Sequence, residues 1–192
     1  MNSRKNVAIS FLGTVLDSGF GQGRWLKWRP NVAMNQRQDF HIDRMELFYA
    51  EKYRELADHV KADIQDVSPH TAVNLVPMEL ENPWDFSEVY TKLHDWAAGY
   101  VFDTEEETYL THITTGTHVA QICLFLLVES RQIPGVLLQT APPKNQRRSM
   151  GKGDIGGYEI IDLDLARYDV LAERLAAVRD DAVRYLKSGI ST

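Results

Sequence analysis

The sequence predicts an α/β fold: a mostly parallel, doubly wound sheet of about six strands flanked by helices. Two observations carry the prediction. Short apolar runs of strand length alternate with amphipathic stretches along the whole chain. Turns rich in glycine and threonine follow the first and fourth of these runs, where such sheets place their ligand loops. A length of 192 residues suits one domain with a sizeable core.

The elements follow in order. Residues 7–12 are the first strand, and a glycine-rich loop comes next. Residues 25–36 read as a helix in which Pro30 must stand in the first turn or break it. Residues 45–49 are the second strand. Tyr53, Leu56, Ala57, Val60 and Ile64 recur at the 3.6 period, which makes 51–67 an amphipathic helix. Residues 72–77 are the third strand. Asn82-Pro83-Trp84-Asp85 opens the next helix, with Asp85 as its cap and Phe86, Val89, Tyr90, Leu93, Ala97 and Tyr100 on one face. Residues 108–113 are the fourth strand, and 119–131 form a helix apolar nearly all round, hence buried. Residues 136–139 and 159–163 are strands separated by a polar, basic loop. Residues 165–187 are a last helix with Leu171, Leu175, Val178, Ala182 and Leu186 inward.

Composition narrows the function. The net charge of −6 argues against a general duplex-DNA binder, so any nucleic-acid contact must come from a local patch. The single cysteine, Cys123, allows no internal disulfide and fits a reducing cytoplasm; its apolar neighbours make it a core residue. The run 7–12 is too short for a signal peptide, and no stretch approaches the ~20 apolar residues of a membrane span. The six histidines lack metal-ligand spacing. No P-loop occurs, and Gly19-Phe20-Gly21-Gln22-Gly23 is not a dinucleotide fingerprint.

If the strand order is the common 3-2-1-4-5-6, it reverses between the first and fourth strands. The loops there are Gly13-Thr14-Val15-Leu16-Asp17 and Thr114-Thr115-Gly116-Thr117-His118, so both turns converge on one crevice. Backbone N–H groups at a helix start, a glycine that allows close approach, and threonine hydroxyls together suit a phosphorylated ligand. An ordinary strand-to-helix connection with a threonine cap remains the plain alternative. Two cationic patches stand nearby. Arg24, Trp25, Lys27, Trp28 and Arg29 interleave cations with indoles, either to stack bases and neutralise phosphates or as a helix with its tryptophans packed inward. Spaced three apart, Trp25 and Trp28 can share a helical face. Lys144, Arg147, Arg148 and Lys152 lie in a loop on the carboxyl rim of the sheet, where they could close on an anion or simply be solvated. His118 could hold phosphate or act as a base on a ribose hydroxyl; His112, at a strand end, reads as structural.

The chain resembles the amino-terminal sensor domains of the RtcR family, sigma-54-dependent regulators of the bacterial RNA-repair operon for RNA ligase and RNA terminal-phosphate cyclase. The resemblance rests on Phe11-Leu12-Gly13-Thr14-Val15-Leu16-Asp17, Arg24-Trp25 with Lys27-Trp28-Arg29-Pro30, Ile42-Asp43-Arg44 with Glu46-Leu47, Asn82-Pro83-Trp84-Asp85-Phe86, His112 through Gln121, and Leu186-Lys187-Ser188-Gly189-Ile190. It implies a CARF domain, the CRISPR-associated Rossmann-like fold, over residues 1–186. Residues 187–192 then look like the start of a linker to an AAA+ ATPase and a DNA-binding helix-turn-helix, so the chain looks like a domain cut from a longer protein. The implied function is a homodimeric sensor that binds RNA ends bearing a 2′,3′-cyclic phosphate, or another nucleotide, and relieves autoinhibition of the ATPase. Full-length partners would be sigma-54 RNA polymerase and promoter DNA. ATP and Mg belong to the ATPase alone, with no cofactor, metal or catalytic residue in this domain. The expected ligand-binding set is Gly13, Thr14, Asp17, Arg24, Trp25, Lys27, Trp28, Arg29, Thr114, Thr115, Gly116, Thr117, His118, Gln121, Lys144 and Arg147. The rival expectation is a ring nuclease cleaving cyclic oligoadenylate, as some domains of this fold do, with His118 as base or Lys27 as electrostatic stabiliser.

Overall fold

A computed structural model describes residues 4–144 and 155–161. The chain runs β1 (Lys5–Phe11), a 3-10 turn (Gln22–Leu26), α1 (Pro30–Asn35), β2 (Arg44–Tyr49), a 3-10 turn (Glu51–Tyr53), α2 (Arg54–Val67) and β3 (Ala72–Pro77). It continues through α3 (Phe86–Gly99), β4 (Glu107–His112), α4 (His118–Glu129), β5 (Val136–Ala141) and β6 (Gly157–Ile161). The sheet order is β3-β2-β1-β4-β5-β6, so strand order reverses between β1 and β4, as expected. All pairs are parallel except β5 with β6. Ile9, on the central strand, faces Glu46 on one side and Thr111 on the other.

Burial on both faces explains why the central strands read as continuous apolar runs. Side chains alternate between the faces. Ala8, Met45, Leu47 and Tyr49 join Val32, Met34, Leu56, Val60 and Ile64 of α1 and α2 in one core. Phe48 points the other way, edge-on to Trp96 of α3 at 4.7 Å. Helices α1 and α2 pack together, as do α3 and α4, which is what right-handed crossovers in both directions from β1 produce.

Four expectations are corrected. The helix over 25–36 is two elements: Trp25 sits in a 3-10 turn, Arg29 is extended at φ −124°, and Pro30 starts α1. A residue before proline is barred from helical backbone, so Trp25 and Trp28 share no helical face. Helix α4 is not buried all round, since Ile122 and Leu126 are exposed. In α3 the buried side chains are Val89, Leu93 and Ala97, whereas Phe86 is exposed at the first turn. Strand β6 starts two residues before its expected position. The helix over 165–187, the linker over 187–192 and Arg147, Arg148 and Lys152 lie outside the described residues. No helix among the described residues is long and apolar enough to cross a membrane.

Candidate functional site

The carboxyl ends of β1, β2, β3 and β4 open into a cavity of about 550 Å³. Pockets of roughly 300–1,000 Å³ suit small molecules and single nucleotides. Its wall consists of residues 13–16 after β1, 49, 50, 52 and 53 after β2, 78–80 after β3, Pro83 and Trp84 before α3, and 114–117 before α4. Both sequence-predicted turns therefore meet here, and Gly13, Thr14, Thr114, Thr115, Gly116 and Thr117 all line the space.

The two turns present backbone donors. The N–H groups of Thr14, Val15 and Leu16, and of Gly116, Thr117, His118 and Val119, make no hydrogen bond within the described residues. The last four stand at the start of α4, where the partial positive charge of the helix lies. Thr117 caps α4, accepting from the Ala120 N–H at 3.1 Å, while its hydroxyl donates to the Pro83 carbonyl at 2.9 Å. Gly116 has φ +90°, a left-handed conformation that lets the turn reverse.

Beneath the turns runs a buried polar chain whose directions can be assigned. The Asn31 side-chain amide donates to the Phe11 carbonyl at 2.9 Å and to the Asp17 carboxylate at 2.6 Å. Its oxygen therefore accepts the Ser10 hydroxyl at 2.6 Å. With that proton committed, Ser10 Oγ accepts from His112 Nδ1–H at 2.8 Å, and His112 Nε2 lies 2.9 Å from Thr140 Oγ1, whose hydroxyl also donates to Thr114 Oγ1 at 3.1 Å. Thr115 donates to the Phe11 carbonyl at 2.7 Å, and Thr114 to the Thr140 carbonyl at 3.1 Å. The hydroxyls of the ligand turn are thus partly spent on holding it in place.

Burial pushes the His112 imidazole down to about 3. A base with a lowered pKa binds fewer protons folded than unfolded. Its contribution is complete above its ordinary value of 6.5 and is lost as pH falls towards 3. Asp17 acts oppositely. Burial raises its carboxyl to about 6, against hydrogen bonds from Asn31 and Gly13, so its contribution is present below 3.8 and lost as pH rises through 6. Between pH 6 and 4 the two effects nearly offset, so the histidine shows in the comparison of variants and not in the raw curve. The urea midpoint of the protein is expected to exceed that of His112→Gln at pH 7, and the difference to shrink as pH falls from 6.5 to 4. A difference that stays constant over that range would refute the assignment.

Several expected site residues stand elsewhere. Asp17 is fully buried and holds the first turn, accepting the Gly13 N–H at 2.9 Å and the Asn31 N–H at 3.1 Å. Arg29 is 2% exposed and donates to Asp63 at 2.5 Å and to the Asp17 carbonyl at 3.0 Å. Arg24 donates to both Asp63 oxygens, at 2.9 Å each by its closest contacts. Burial alone would raise the Asp63 carboxyl, but the hydrogen bonds from Arg24 and Arg29 hold it below the usual carboxylate range. Both arginines thus neutralise an acid of α2 and are not open to a ligand's phosphate. Trp25, with the Arg24 guanidinium over its ring at 4.9 Å, does not line the cavity, nor do Lys27, Trp28, His118, Gln121 or Lys144.

In their place the cavity gains residues the sequence reading missed: Tyr49, Lys52, Tyr53, Met78, Glu79 and Trp84. They follow β2 and β3, and attention to every strand's carboxyl end, not just the two glycine turns, would have found them. Lys52 and Glu79 are the charged lining residues among those described. The Glu79 carboxylate accepts the Glu51 N–H at 2.5 Å and so ties the turn after β2 to the end of β3.

Comparison with known proteins fits this architecture. The family model described as "Regulator of RNA terminal phosphate cyclase" matches residues 4–189. The "Transcriptional regulatory protein RtcR" of Escherichia coli (strain K12) is 52% identical over 190 residues, 98% of this chain. The chain spans about a third (35%) of that relative's length. Among solved structures, Enterococcus italicus Csm6 bound to cyclic hexa-2′-fluoro-hexa-dAMP superposes with TM-score 0.61 at 15% identity, over 98% of this chain and 51% of that one. Can2 from Sulfobacillus thermosulfidooxidans in complex with cyclic tetra-adenylate gives a TM-score of 0.44 at 14% identity, over 71% and 32% of the two chains. The fold is the Rossmann-like CARF fold.

Proposed function

The chain belongs to the RtcR family, the regulators of RNA terminal phosphate cyclase, and from this premise we propose that it is the ligand-sensing domain of a transcription regulator, with the switch-point cavity as its sensor site. The observation that carries the reading is the convergence of two turns with unpaired N–H groups on one cavity of nucleotide size. An enzyme named for RNA terminal phosphates makes phosphorylated RNA ends the natural signal for its regulator. In this reading the signal is an RNA end bearing a 2′,3′-cyclic phosphate. Its phosphate meets the N–H groups of residues 14–16, 116 and 117, and Lys52 supplies the balancing charge.

The longer protein would act in the cytoplasm as a homodimer. Its sensor restrains an AAA+ ATPase, which on release works with sigma-54 RNA polymerase at promoter DNA to switch on RNA-repair genes. Ligand can do this only by binding one arrangement of the domains more tightly than the other.

The Csm6 structure, bound to a cyclic oligonucleotide, motivates a second reading as a ring nuclease. Here, however, His118 and Lys27, the groups expected to serve cleavage, do not line the cavity, and Glu79, which does, accepts a backbone N–H. Capture without cleavage is the better supported reading.

The test is a thermal-shift and mass-spectrometric comparison of matched short RNAs ending in hydroxyl, 3′-phosphate or 2′,3′-cyclic phosphate, with cyclic oligoadenylates alongside. A ligand at 100 times its Kd stabilises the folded state by about 2.7 kcal/mol. The cyclic-phosphate end is expected to raise Tm most while staying intact, and Lys52→Ala to reduce the rise. Cleavage of cyclic oligoadenylate would favour the nuclease, and no shift with any RNA end would overturn the sensor reading.

A further inference from the structure

Trp84 is 63% exposed, and a large apolar surface in water brings the fold no gain. Yet its loop is held unusually firmly. The Trp84 N–H donates to Asn82 Oδ1 at 3.1 Å, and the Asp85 N–H to the Asn82 carbonyl at 2.9 Å. The Glu88 carboxylate accepts the N–H groups of Glu81 at 2.6 Å and Asn82 at 2.9 Å, while Asp85 caps α3 by accepting the Glu88 N–H at 2.8 Å. The Thr117 hydroxyl then bonds the Pro83 carbonyl at 2.9 Å, tying this loop to the ligand turn before α4. The backbone that carries this exposed indole is thus held beside the turn before α4, and Trp84 borders the same cavity. Trp96 packs against Phe48, Tyr100 and Phe102, and Trp25 carries Arg24, whereas the Trp84 ring has no aromatic or cationic partner among the described residues. Across the turn after β2, Tyr53 also borders the cavity, with Lys52 Nζ over its ring at 5.2 Å. Lys52 and Tyr53 thus bring a cation and an aromatic ring to the same cavity.

From this arrangement we propose that Trp84 and Tyr53 form a nucleobase subsite of the cavity, so that the site reads the terminal base by stacking as well as its phosphate. The proposal rests on the sensor reading above and adds the part of the ligand that reading leaves unassigned. Every base has a stacking face, so the subsite accepts all four bases, with purines favoured by their larger area. With its backbone already held, the indole gives up only side-chain rotation on binding, which lowers the ordering cost. The subsite also distinguishes a nucleotide end from inorganic phosphate, which the turns alone would not.

The test measures binding to the 192-residue chain of adenosine 2′,3′-cyclic phosphate, of a short RNA ending in that group, and of inorganic phosphate. Base–aromatic stacking is worth about 1–3 kcal/mol by alanine substitution, or roughly 5- to 150-fold in Kd. Trp84→Ala is expected to weaken both nucleotide probes within that range, to leave phosphate binding and Tm unchanged, and to abolish the quenching of tryptophan fluorescence by nucleotide. Trp84→Phe should restore most of the affinity, and Tyr53→Ala should give a smaller loss of the same kind. Equal nucleotide affinity in Trp84→Ala and wild type would overturn the subsite while leaving the sensor site standing. Failure of wild type to bind either nucleotide probe would overturn both.

Discussion

Asp63→Ala is expected to cost the domain about 3–5 kcal/mol, the largest stability loss of any single change near the site. The side chains of Asp63 and Arg29 are each 2% exposed, and that of Arg24 is 12% exposed. Removing the carboxylate strands the Arg29 guanidinium in the interior with the Asp17 carbonyl as its remaining acceptor. It also unties the segment between β1 and α1, because Arg24 holds the Phe20 and Gly21 carbonyls as well as Asp63. Asp63→Asn keeps an acceptor and should lose less. Urea denaturation at pH 7 decides the matter, and a loss below about 1 kcal/mol would show that the buried cluster is not a structural tie. The ordering with pH also follows. An acid whose pKa is lowered in the fold contributes above its unfolded value and loses that contribution as pH falls through the folded one, so Asp63 matters least in strong acid.

Gly116→Val is expected to remove ligand binding, with an affinity loss of at least about tenfold, while the domain still folds. At φ +90° a side chain is strained whatever space it finds, at about 1–3 kcal/mol. An added Cβ would also stand 3.2 Å from Phe11 Cβ and 3.3 Å from Phe11 Cγ, tighter than ordinary contact. The turn must relax, and relaxation re-aims the N–H groups of residues 116 and 117, which the sensor proposal assigns to phosphate capture. Isothermal titration with a cyclic-phosphate RNA, beside a melting curve, separates the two effects. Unchanged affinity would remove this turn from the site. Thr115→Ala is a poorer probe, because Thr115 is 2% exposed and its hydroxyl bonds the Phe11 carbonyl. It should cost about 1–3 kcal/mol in stability and so confuse folding with binding.

Much of the site was legible because two turns carried their own chemistry. A glycine set among threonines between a buried strand and a helix is unusual enough to read locally, and residues 13–14 and 114–117 do line the cavity. Arg24, Arg29 and Asp17 are bonded away from the cavity, and local sequence hides this for a shared reason. Charge is visible in a sequence, but its partner is not. Asp63 lies 34 residues after Arg29 and looks like any polar residue of an amphipathic helix. Trp84 failed in the other direction, since a tryptophan beside a proline and a helix cap reads as loop punctuation until the sheet brings β1, β3 and β4 to one rim.

Local sequence was enough for the strand and helix alternation, the α/β class and the two glycine-and-threonine turns at the switch point. These depend on periodicity and backbone preference, which act over a few residues. Tertiary structure alone decided which cations are spent, which indole faces the cavity, and that His112 is neutral with both nitrogens engaged. Those outcomes depend on desolvation and on partners distant in sequence, such as Ser10 and Thr140 on either side of His112.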